Sequence, residues 1–281
     1  MSTRLAMSSI AIAPRAVTAA ASLAASPAVP AFFEVRSIGL AFGGVQAVRD
    51  VSFTIEPGEV LAIIGPNGAG KTSVLNLITR VFDPTMGSIH FDGRDITRVA
   101  RHDVVRHGIA RTFQNIELFD GATVLENLLL GRHRAGHGSL LAQMLNLPSV
   151  RRAEAQTRAR VENVVRLLDL APLRHRPVGE LPYGIRKVVE LGRALAAEPR
   201  LLLLDEPASG LNPEETRQLA GWIDDIRAEL GITVVMVEHD MSLVSSVATR
   251  AIVMDQGRVL TIGTPAEVQS DPRVITAYLG T

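Results

Sequence analysis

One stretch decides the fold of this 281-residue chain: Gly65-Pro66-Asn67-Gly68-Ala69-Gly70-Lys71-Thr72. It directly follows the apolar run Val60-Leu61-Ala62-Ile63-Ile64, and this pattern is typical of a phosphate-binding loop between a buried strand and a helix. Glycines let successive backbone N–H groups point inward at phosphate oxygens, and the helix N-terminus adds the positive end of its dipole. We therefore expect a nucleoside triphosphate to bind here. The alternative is a glycine-rich turn whose lysine is merely solvated.

The residues of this loop have separate expected roles. Lys71 is expected to reach the β- and γ-phosphates, and Thr72 is expected to place its hydroxyl on Mg²⁺. The other expected nucleotide-binding residues of the segment are Gly65, Pro66, Asn67, Gly68, Ala69, Gly70 and Ser73.

Composition narrows the class of protein. The chain has 29 basic and 29 acidic residues and no strongly basic block, so we expect no nucleic-acid partner. It has no cysteine, which excludes disulfides and thiolate metal sites and is compatible with a reducing cytoplasm. Its apolar runs are all shorter than the roughly 20 residues needed to span a bilayer. A role at a membrane would therefore require another protein as anchor.

The first thirty residues, Met1 to Pro30, are rich in Ala and Ser. We expect a disordered tail here, because the segment lacks the apolar pattern of a packed element. A secretory signal is the alternative, but Pro14-Arg15 interrupts its apolar segment. The expected organisation is a tail over 1–30 and a single domain over 31–281.

Apolar runs and turn residues predict an α/β fold. Continuous rather than alternating apolar strands favour a parallel sheet covered on both faces. Region 115–197 carries long helical patterns rich in Arg and Leu, so we expect an inserted α-helical subdomain there. The predicted strands are 33–36, 51–55, 60–64, 88–91, 201–204, 232–237 and 251–254, and the predicted helices are 72–81, 151–170, 185–197, 213–230 and 241–247.

Two acids, Asp205 and Glu206, follow the run Leu201-Leu202-Leu203-Leu204. The carboxyl end of a buried parallel strand is where open α/β sheets bind ligands. Asp205 is expected to hold Mg²⁺ through its water shell, and Glu206 to accept a proton from, or orient, the attacking water. An isolated Asp-Glu pair more often ends a strand in solvent, but the phosphate-binding loop upstream favours the catalytic interpretation.

With these motifs the chain resembles, from about Phe32 to its end, the ATP-binding subunit of an ABC transporter. The resemblance implies a P-loop NTPase (RecA-like) core with an antiparallel β edge and an inserted helical subdomain. It also implies an ATP hydrolase that uses ATP and Mg²⁺. Two other classes are alternatives: a soluble ABC-type ATPase acting on DNA or ribosomes, and a nucleotide kinase that shares only the phosphate-binding loop.

Three further segments resemble functional elements of this family. Arg111-Thr112-Phe113-Gln114 resembles the glutamine loop, which implies that Gln114 touches Mg²⁺ and the attacking water. Val237-Glu238-His239-Asp240 resembles the switch-histidine segment, which implies that His239 bonds the γ-phosphate and helps to fix the geometry of Glu206. Phe42 lies where the family places an aromatic ring that stacks on adenine.

The signature segment departs from the usual Leu-Ser-Gly-Gly-Gln of the family. Here it is Leu181-Pro182-Tyr183-Gly184-Ile185, so Pro182 and Ile185 replace the polar Ser and Gln of the usual pattern. The resemblance implies that this segment reaches, across a head-to-tail dimer, the γ-phosphate of the ATP on a second ABC ATPase subunit. Pro182 has no N–H but suits the first turn of a helix, so the remaining backbone donors could still serve. Ser209-Gly210-Leu211-Asn212 fits the dimer-contact loop.

The substrate is indicated by resemblance alone. Four features together resemble the branched-chain amino acid importer group: Phe42-Gly43-Gly44, the insert over 127–180, Glu238-His239-Asp240-Met241 and the ending over 263–280. Importers of urea or short amides and the lipopolysaccharide-export ATPase share much of this pattern. The implied partners are two membrane permease subunits, a second and non-identical ATPase subunit, and a periplasmic or extracellular solute-binding protein. The implied location is the cytoplasmic face of the plasma membrane.

Overall fold

The computed structural model describes residues 31–114, 116–132 and 148–279. The predicted tail over 1–30 therefore lies outside the described residues, as does part of the predicted helical insert. Within the described ranges, the strands are β1 (Phe33–Phe42), β2 (Val45–Ile55), β3 (Val60–Ile64), β4 (Met86–Phe91), β5 (Arg94–Asp95), β6 (Ile109–Arg111), β7 (Leu201–Asp205), β8 (Thr233–Val237), β9 (Arg250–Asp255) and β10 (Arg258–Gly263).

The α-helices of the same ranges are α1 (Lys71–Ile78), α2 (Val124–Gly131), α3 (Pro148–Leu167), α4 (Tyr183–Ala196), α5 (Pro213–Leu230), α6 (Met241–Val247), α7 (Pro265–Ser270) and α8 (Pro272–Leu279). None of these helices is both long and apolar enough to cross a bilayer.

The central sheet has six strands in the order β10-β9-β3-β8-β7-β6. Strands β3, β7 and β8 are parallel neighbours and are buried at every position, which confirms the predicted parallel sheet. Continuous apolar runs are required here because both faces of the sheet are covered. The carboxyl ends of β3, β8 and β7 therefore meet at one edge.

The two faces of β3 belong to different parts of the core. Leu61 and Ile63 pack in a cluster with α1 and with the second sheet, which is antiparallel and has the order β2-β1-β4-β5. Ala62 and Ile64 pack in a second cluster with the helices on the opposite face. The antiparallel β edge that was predicted is therefore present.

Several element boundaries differ from the prediction for local reasons. β1 extends to Phe42 through bulges near Ser37, whose φ is 47°, so the apolar alternation is broken although pairing continues. Helix α1 ends at Ile78 rather than 81, and Arg80 adopts a φ of 59°. Helix α3 ends at Leu167 rather than 170, and Asp169 adopts a φ of 55°. Left-handed residues of this kind end helices.

Candidate active site

The predicted phosphate-binding loop lies between the end of β3 and the start of α1. Gly65 has a φ of 146° and Gly70 a φ of 96°. A Cβ on Gly65 would collide with the carbonyl oxygen of Met254, and one on Gly70 with that of Ala47. Both positions therefore require glycine for steric as well as conformational reasons.

Lys71 is buried and curls back over this loop. Its Nζ donates hydrogen bonds to Gly65 O at 2.8 Å and to Pro66 O at 3.0 Å. Burial lowers the pKa of Lys71, and the nearby carboxylates of Glu206 and Asp205 act in the opposite direction. The ammonium group therefore lies within the loop that is expected to hold the phosphates.

Asp205 and Thr72 come together as the magnesium prediction requires. Asp205 is 2% exposed at the end of β7, and its Oδ1 accepts a hydrogen bond from Thr72 Oγ1 at 3.4 Å. Hydroxyl and carboxylate oxygens are suitable Mg²⁺ ligands, and this ion is held by few protein groups together with nucleotide phosphates. The described residues contain no group of three or more His or acidic side chains placed to hold a metal, and the role of Thr72 and Asp205 toward Mg²⁺ stays a prediction.

Glu206 is the first residue after β7 and adopts a left-handed φ of 49°. This conformation costs a non-glycine residue about 1–2 kcal/mol, and strain of this kind is commonly found at functional sites. Its Oε2 accepts a hydrogen bond from Gln114 Nε2 at 2.9 Å. The structure thus brings together the two side chains that were expected to contact the attacking water.

His239 and Phe42 lie at the edges of this region. The His239 side chain is 58% exposed, its Nδ1 lies 3.8 Å from Glu238 Oε2, and the described residues show no hydrogen bond between His239 and Glu206. Phe42 is 49% exposed and meets Phe82 edge to face, with ring centroids 5.0 Å apart. Their roles toward the γ-phosphate and adenine stay predictions.

The signature segment forms the start of α4. Leu181 is buried, whereas Pro182 and Tyr183 are exposed. The helix begins at Tyr183, so Pro182 precedes the first turn instead of lying within it as expected, and its carbonyl accepts the Arg186 N–H at 3.0 Å. No side chain caps this helix, so the first-turn N–H groups have no partner within the helix or from a capping side chain.

Sequence reasoning missed Arg111, which was noted only as part of the glutamine loop. Its Nη2 donates to Asp205 Oδ2 at 2.7 Å, and its Nη1 donates to Asn76 Oδ1 at 2.7 Å. Both ends of this ion pair are buried. Arg111 therefore holds Oδ2 of Asp205, the oxygen that is not bonded to Thr72, and connects Asp205 to α1 through Asn76. No local pattern signals a pair 94 residues apart.

Lys187 was also missed, and Glu238 was noted only as part of the switch-histidine segment. Lys187 Nζ donates to the Glu206 carbonyl oxygen at 2.9 Å, and the fully buried Glu238 accepts a hydrogen bond from Ala208 N at 2.8 Å. One sequence signal could have found Lys187: the chain has only two lysines, Lys71 and Lys187. All its other long basic side chains are arginines.

The fold and this site define a class: an α/β ATPase with a phosphate-binding loop after β3, acids at the end of β7 on the other side of β8, and a helical segment inserted between them in sequence. The family model described as "ABC transporter" matches residues 48–209. A second model, described as "Branched-chain amino acid ATP-binding cassette transporter", matches residues 258–281.

The chain is similar to curated proteins over almost their whole length. It is 41% identical over 247 residues to the high-affinity branched-chain amino acid transport ATP-binding protein BraF of Pseudomonas aeruginosa, covering 88% of this chain and 97% of BraF. It is 38% identical over 246 residues to LivG of Escherichia coli, a protein of the same description, covering 88% of this chain and 96% of LivG. The chain therefore belongs to the ATP-binding subunits of ABC transporters, and it is an ATP hydrolase of that type.

Solved structures agree with this assignment. A nucleotide-free ATP-binding cassette from an ABC transporter has a TM-score of 0.78 and 31% sequence identity, covering 89% of this chain and 99% of that one. The ADP conformation of an ATP-binding cassette of an ABC transporter gives the same values. The predicted ABC ATPase fold, with its RecA-like P-loop core, is confirmed.

Proposed function

We propose that this chain energises the import of branched-chain amino acids through separate permease subunits, from the cytoplasmic face of the membrane. The observation that carries the proposal is the similarity to BraF over 88% of this chain and 97% of BraF, and the separate match of residues 258–281 to the branched-chain family model agrees with it. That segment lies beyond residues 48–209, which the general ABC transporter model matches. Urea or short-amide import and lipopolysaccharide export are the alternatives.

In the proposed reaction, residues of this chain bind ATP and position a water molecule. The loop amides and Lys71 hold the phosphates, and Phe42 supports the adenine. Glu206 takes a proton from the attacking water. Gln114 orients the Glu206 carboxylate through the hydrogen bond that the two side chains make, and thereby the water that Glu206 binds.

The metal site belongs to the same proposal. Thr72, Asp205 and Gln114 would hold Mg²⁺, which when bound neutralises charge on the phosphoryl group. Asp205 is suited to this role because Arg111 already occupies its second oxygen. The first oxygen is thereby kept on the side of Thr72.

The proposed assembly is a head-to-tail pair with a second, non-identical ABC ATPase subunit on two permeases supplied by a solute-binding protein. Each ATP would lie between the phosphate-binding loop of one subunit and the signature segment of the other. Leu181, Pro182, Tyr183, Gly184 and Ile185 would serve the partner's ATP through backbone donors and the α4 dipole.

The test is ATP-dependent substrate uptake by a reconstituted complex. The full-length chain is combined with its permeases, its second ATPase subunit and the solute-binding protein in proteoliposomes, and uptake of labelled leucine, isoleucine, valine and urea is compared. We expect uptake of the branched-chain amino acids, and none with Lys71→Ala. Urea uptake without leucine uptake would contradict the substrate assignment.

A further inference from the structure

The main chain at Glu206 is held from two sides by buried charged residues. Lys187, in the second turn of α4, donates through Nζ to Glu206 O at 2.9 Å and to Pro207 O at 3.4 Å. Glu238, which follows β8, accepts the Ala208 N–H at 2.8 Å through Oε1. Three consecutive residues, 206 to 208, are therefore bound by side chains from two separate elements.

Glu206 needs this support because of its backbone conformation. A non-glycine residue stays at a φ of 49° only where the surrounding structure imposes it. Its N–H donates to Val237 O at 2.9 Å, and its carbonyl accepts the Ser209 N–H at 3.1 Å. The hydrogen bond from the Lys187 ammonium is charge-assisted, and such bonds are stronger than the neutral backbone bonds that Glu206 makes with Val237 and Ser209. The direction of the Glu206 carboxylate depends on this backbone geometry.

Glu238 connects the same segment to the switch histidine. Its Oε2 accepts the His239 N–H at 2.9 Å and the Asp240 N–H at 3.2 Å. One carboxylate thus binds the main chain after Glu206 with one oxygen and the main chain of His239 with the other. Removal of Oε1 would leave the buried Ala208 N–H unpaired, and removal of Oε2 would leave the part-buried N–H groups of His239 and Asp240 without this acceptor.

The chemistry of Lys187 suits this role. A compact ammonium can donate to two neighbouring carbonyl oxygens, whereas the planar fork of arginine fits carboxylates better. Its other neighbour is the ring of Tyr183 in the signature segment, 5.8 Å from Nζ to the ring centroid. Lys187 therefore links the signature segment of this chain to its own Glu206.

We propose that Lys187 and Glu238 are positioning residues for ATP hydrolysis, which hold the Glu206 backbone in its left-handed conformation and set its carboxylate relative to His239. The inference rests on the proposed role of Glu206 in activating water. It assigns Lys187 and Glu238 an effect on turnover and none on nucleotide binding.

The first experiment compares Lys187→Met with the parent in the full-length chain, assembled with its partner subunits. We expect kcat for ATP to fall roughly tenfold, as the loss of one charge-assisted hydrogen bond predicts. KM and the affinity for a fluorescent ATP analogue should stay within about twofold of the parent values, since the hydrogen bonds of Lys187 go to the main chain at Glu206 and Pro207 and not to the phosphate-binding loop. Glu238→Gln should act in the same direction, because its amide would direct N–H groups at main-chain donors.

Arg132→Met is the matched control. Arg132 is another buried cation that donates to a main-chain carbonyl, Ala196 O at 3.2 Å, at the far end of α4. Its loss should lower the thermal midpoint and leave kcat within twofold. An equal loss of kcat in Arg132→Met would mean that α4 acts only through stability, and would overturn the inference.

A double-mutant cycle separates positioning from general damage. In the Glu206→Gln background, Lys187→Met should cause no further loss in single-turnover hydrolysis, because the group that it positions is already gone. A full additional loss there, or a kcat of Lys187→Met within twofold of the parent, refutes the inference. If Lys187→Met does not fold, Lys187→Gln takes its place. Glutamine keeps a neutral hydrogen-bond donor, so kcat of Lys187→Gln should fall below the parent value, but by less than the tenfold expected for Lys187→Met. Turnover of Glu206→Gln within a few-fold of the parent would instead refute the proposed role of Glu206.

Discussion

Asp205 and Glu206 are neighbours in the chain, but their surroundings differ, as do the tasks proposed for them. Asp205 is almost inaccessible and is held by the cation of Arg111, whereas Glu206 is partly exposed and contacts the neutral amide of Gln114. A carboxylate held by a fixed cation is suited to a structural or metal-binding task. The carboxylate of Glu206, hydrogen-bonded to a neutral amide and open to solvent, is accessible to the attacking water of the proposed reaction.

At this scale we predict the effect of Glu206→Gln. The amide keeps the shape of the side chain but cannot accept a proton, so ATP should still bind while steady-state hydrolysis falls roughly 10²-fold or more. Hydrolysis and binding of a fluorescent ATP analogue are to be measured in parallel. Glu229→Gln, on the exposed end of α5, is the control and should behave as the parent. Turnover of Glu206→Gln within a few-fold of the parent would contradict the assignment.

Among the elements, helix α4 connects most parts of the site. It begins at the signature segment, carries Lys187 toward Glu206, and carries Glu190, whose Oε1 accepts the Phe113 N–H of the glutamine loop at 3.1 Å. A movement of this helix would therefore displace its hydrogen-bond partners in the glutamine loop and at the end of β7, which bears the acids.

Burial raises the pKa of Glu190, and the Phe113 N–H and nearby cations only partly oppose this. A raised pKa in the fold means that the burial penalty is absent below the usual value of 4.5 and appears as pH rises through the raised pKa. We predict that Glu190→Gln, which keeps an acceptor oxygen for Phe113, is at least as stable as the parent at pH 7. The stability difference should shrink toward pH 4.5. Urea unfolding at several pH values checks this, and a variant that is less stable at pH 7 than at pH 5, relative to the parent, would contradict it.

The contact between α4 and α5 leads to a prediction at Gly184. A Cβ there would collide with Glu215 Oε1, and Glu215 forms the capping box of α5 by accepting the Asn212 N–H at 2.9 Å. Gly184→Ala should therefore disturb this cap, and the fold should be destabilised overall because the loss of a cap, up to about 2 kcal/mol, exceeds the roughly 0.5–1 kcal/mol that Ala gains over Gly in a helix.

Gly221→Ala is the control for this change. It lies on the exposed side of α5, with nothing within 4 Å of the added Cβ, so it should stabilise the fold by roughly 0.5–1 kcal/mol. Urea unfolding of both variants measures the change in the free energy of unfolding, which should fall for Gly184→Ala and rise for Gly221→Ala. Two changes of the same sign would mean that the Glu215 contact does not decide the effect of Gly184→Ala.

For the whole molecule, the signature segment predicts unequal ATP sites. Pro182 and Ile185 offer no polar side chain, so the partner's ATP should receive fewer hydrogen bonds than the ATP on Lys71 and Glu206 of this chain. A missing neutral hydrogen bond of about 1 kcal/mol corresponds to a several-fold difference in rate. In the reconstituted complex, Glu206→Gln should therefore reduce hydrolysis more than the equivalent change in the partner. Equal residual activities, or a symmetric homodimer of this chain, would refute the asymmetry.

The N-terminal segment gives a second prediction at this scale. The described fold begins with β1 at Phe33, and Phe32 O already accepts the Asp92 N–H at 2.7 Å. A chain that starts at Ala31 should keep the thermal midpoint and the ATPase activity of the full-length chain. A clear loss of either would mean that residues 1–30 contribute to the folded domain.

Much of this molecule could be predicted because its signals are local. The phosphate-binding loop, the acids after the 201–204 run and helix α5 (Pro213–Leu230) depend on residues close together in sequence, namely glycines, an apolar run and an Asn–Pro start. The predicted bounds of α5 match the structure. The parallel sheet also followed from sequence, since strands buried on both faces must be apolar throughout.

Other features were decided by the tertiary structure alone. Strand β6 has three residues and exists because β7 pairs with it, and β10 is defined by its antiparallel pairing with β9. The buried pair of Arg111 with Asp205, and the bonds from Lys187 and Glu238 to the main chain around Glu206, join residues 19 to 94 positions apart. A charged side chain in the interior needs a partner of suitable geometry, and only the packing of the elements decides which group that partner is.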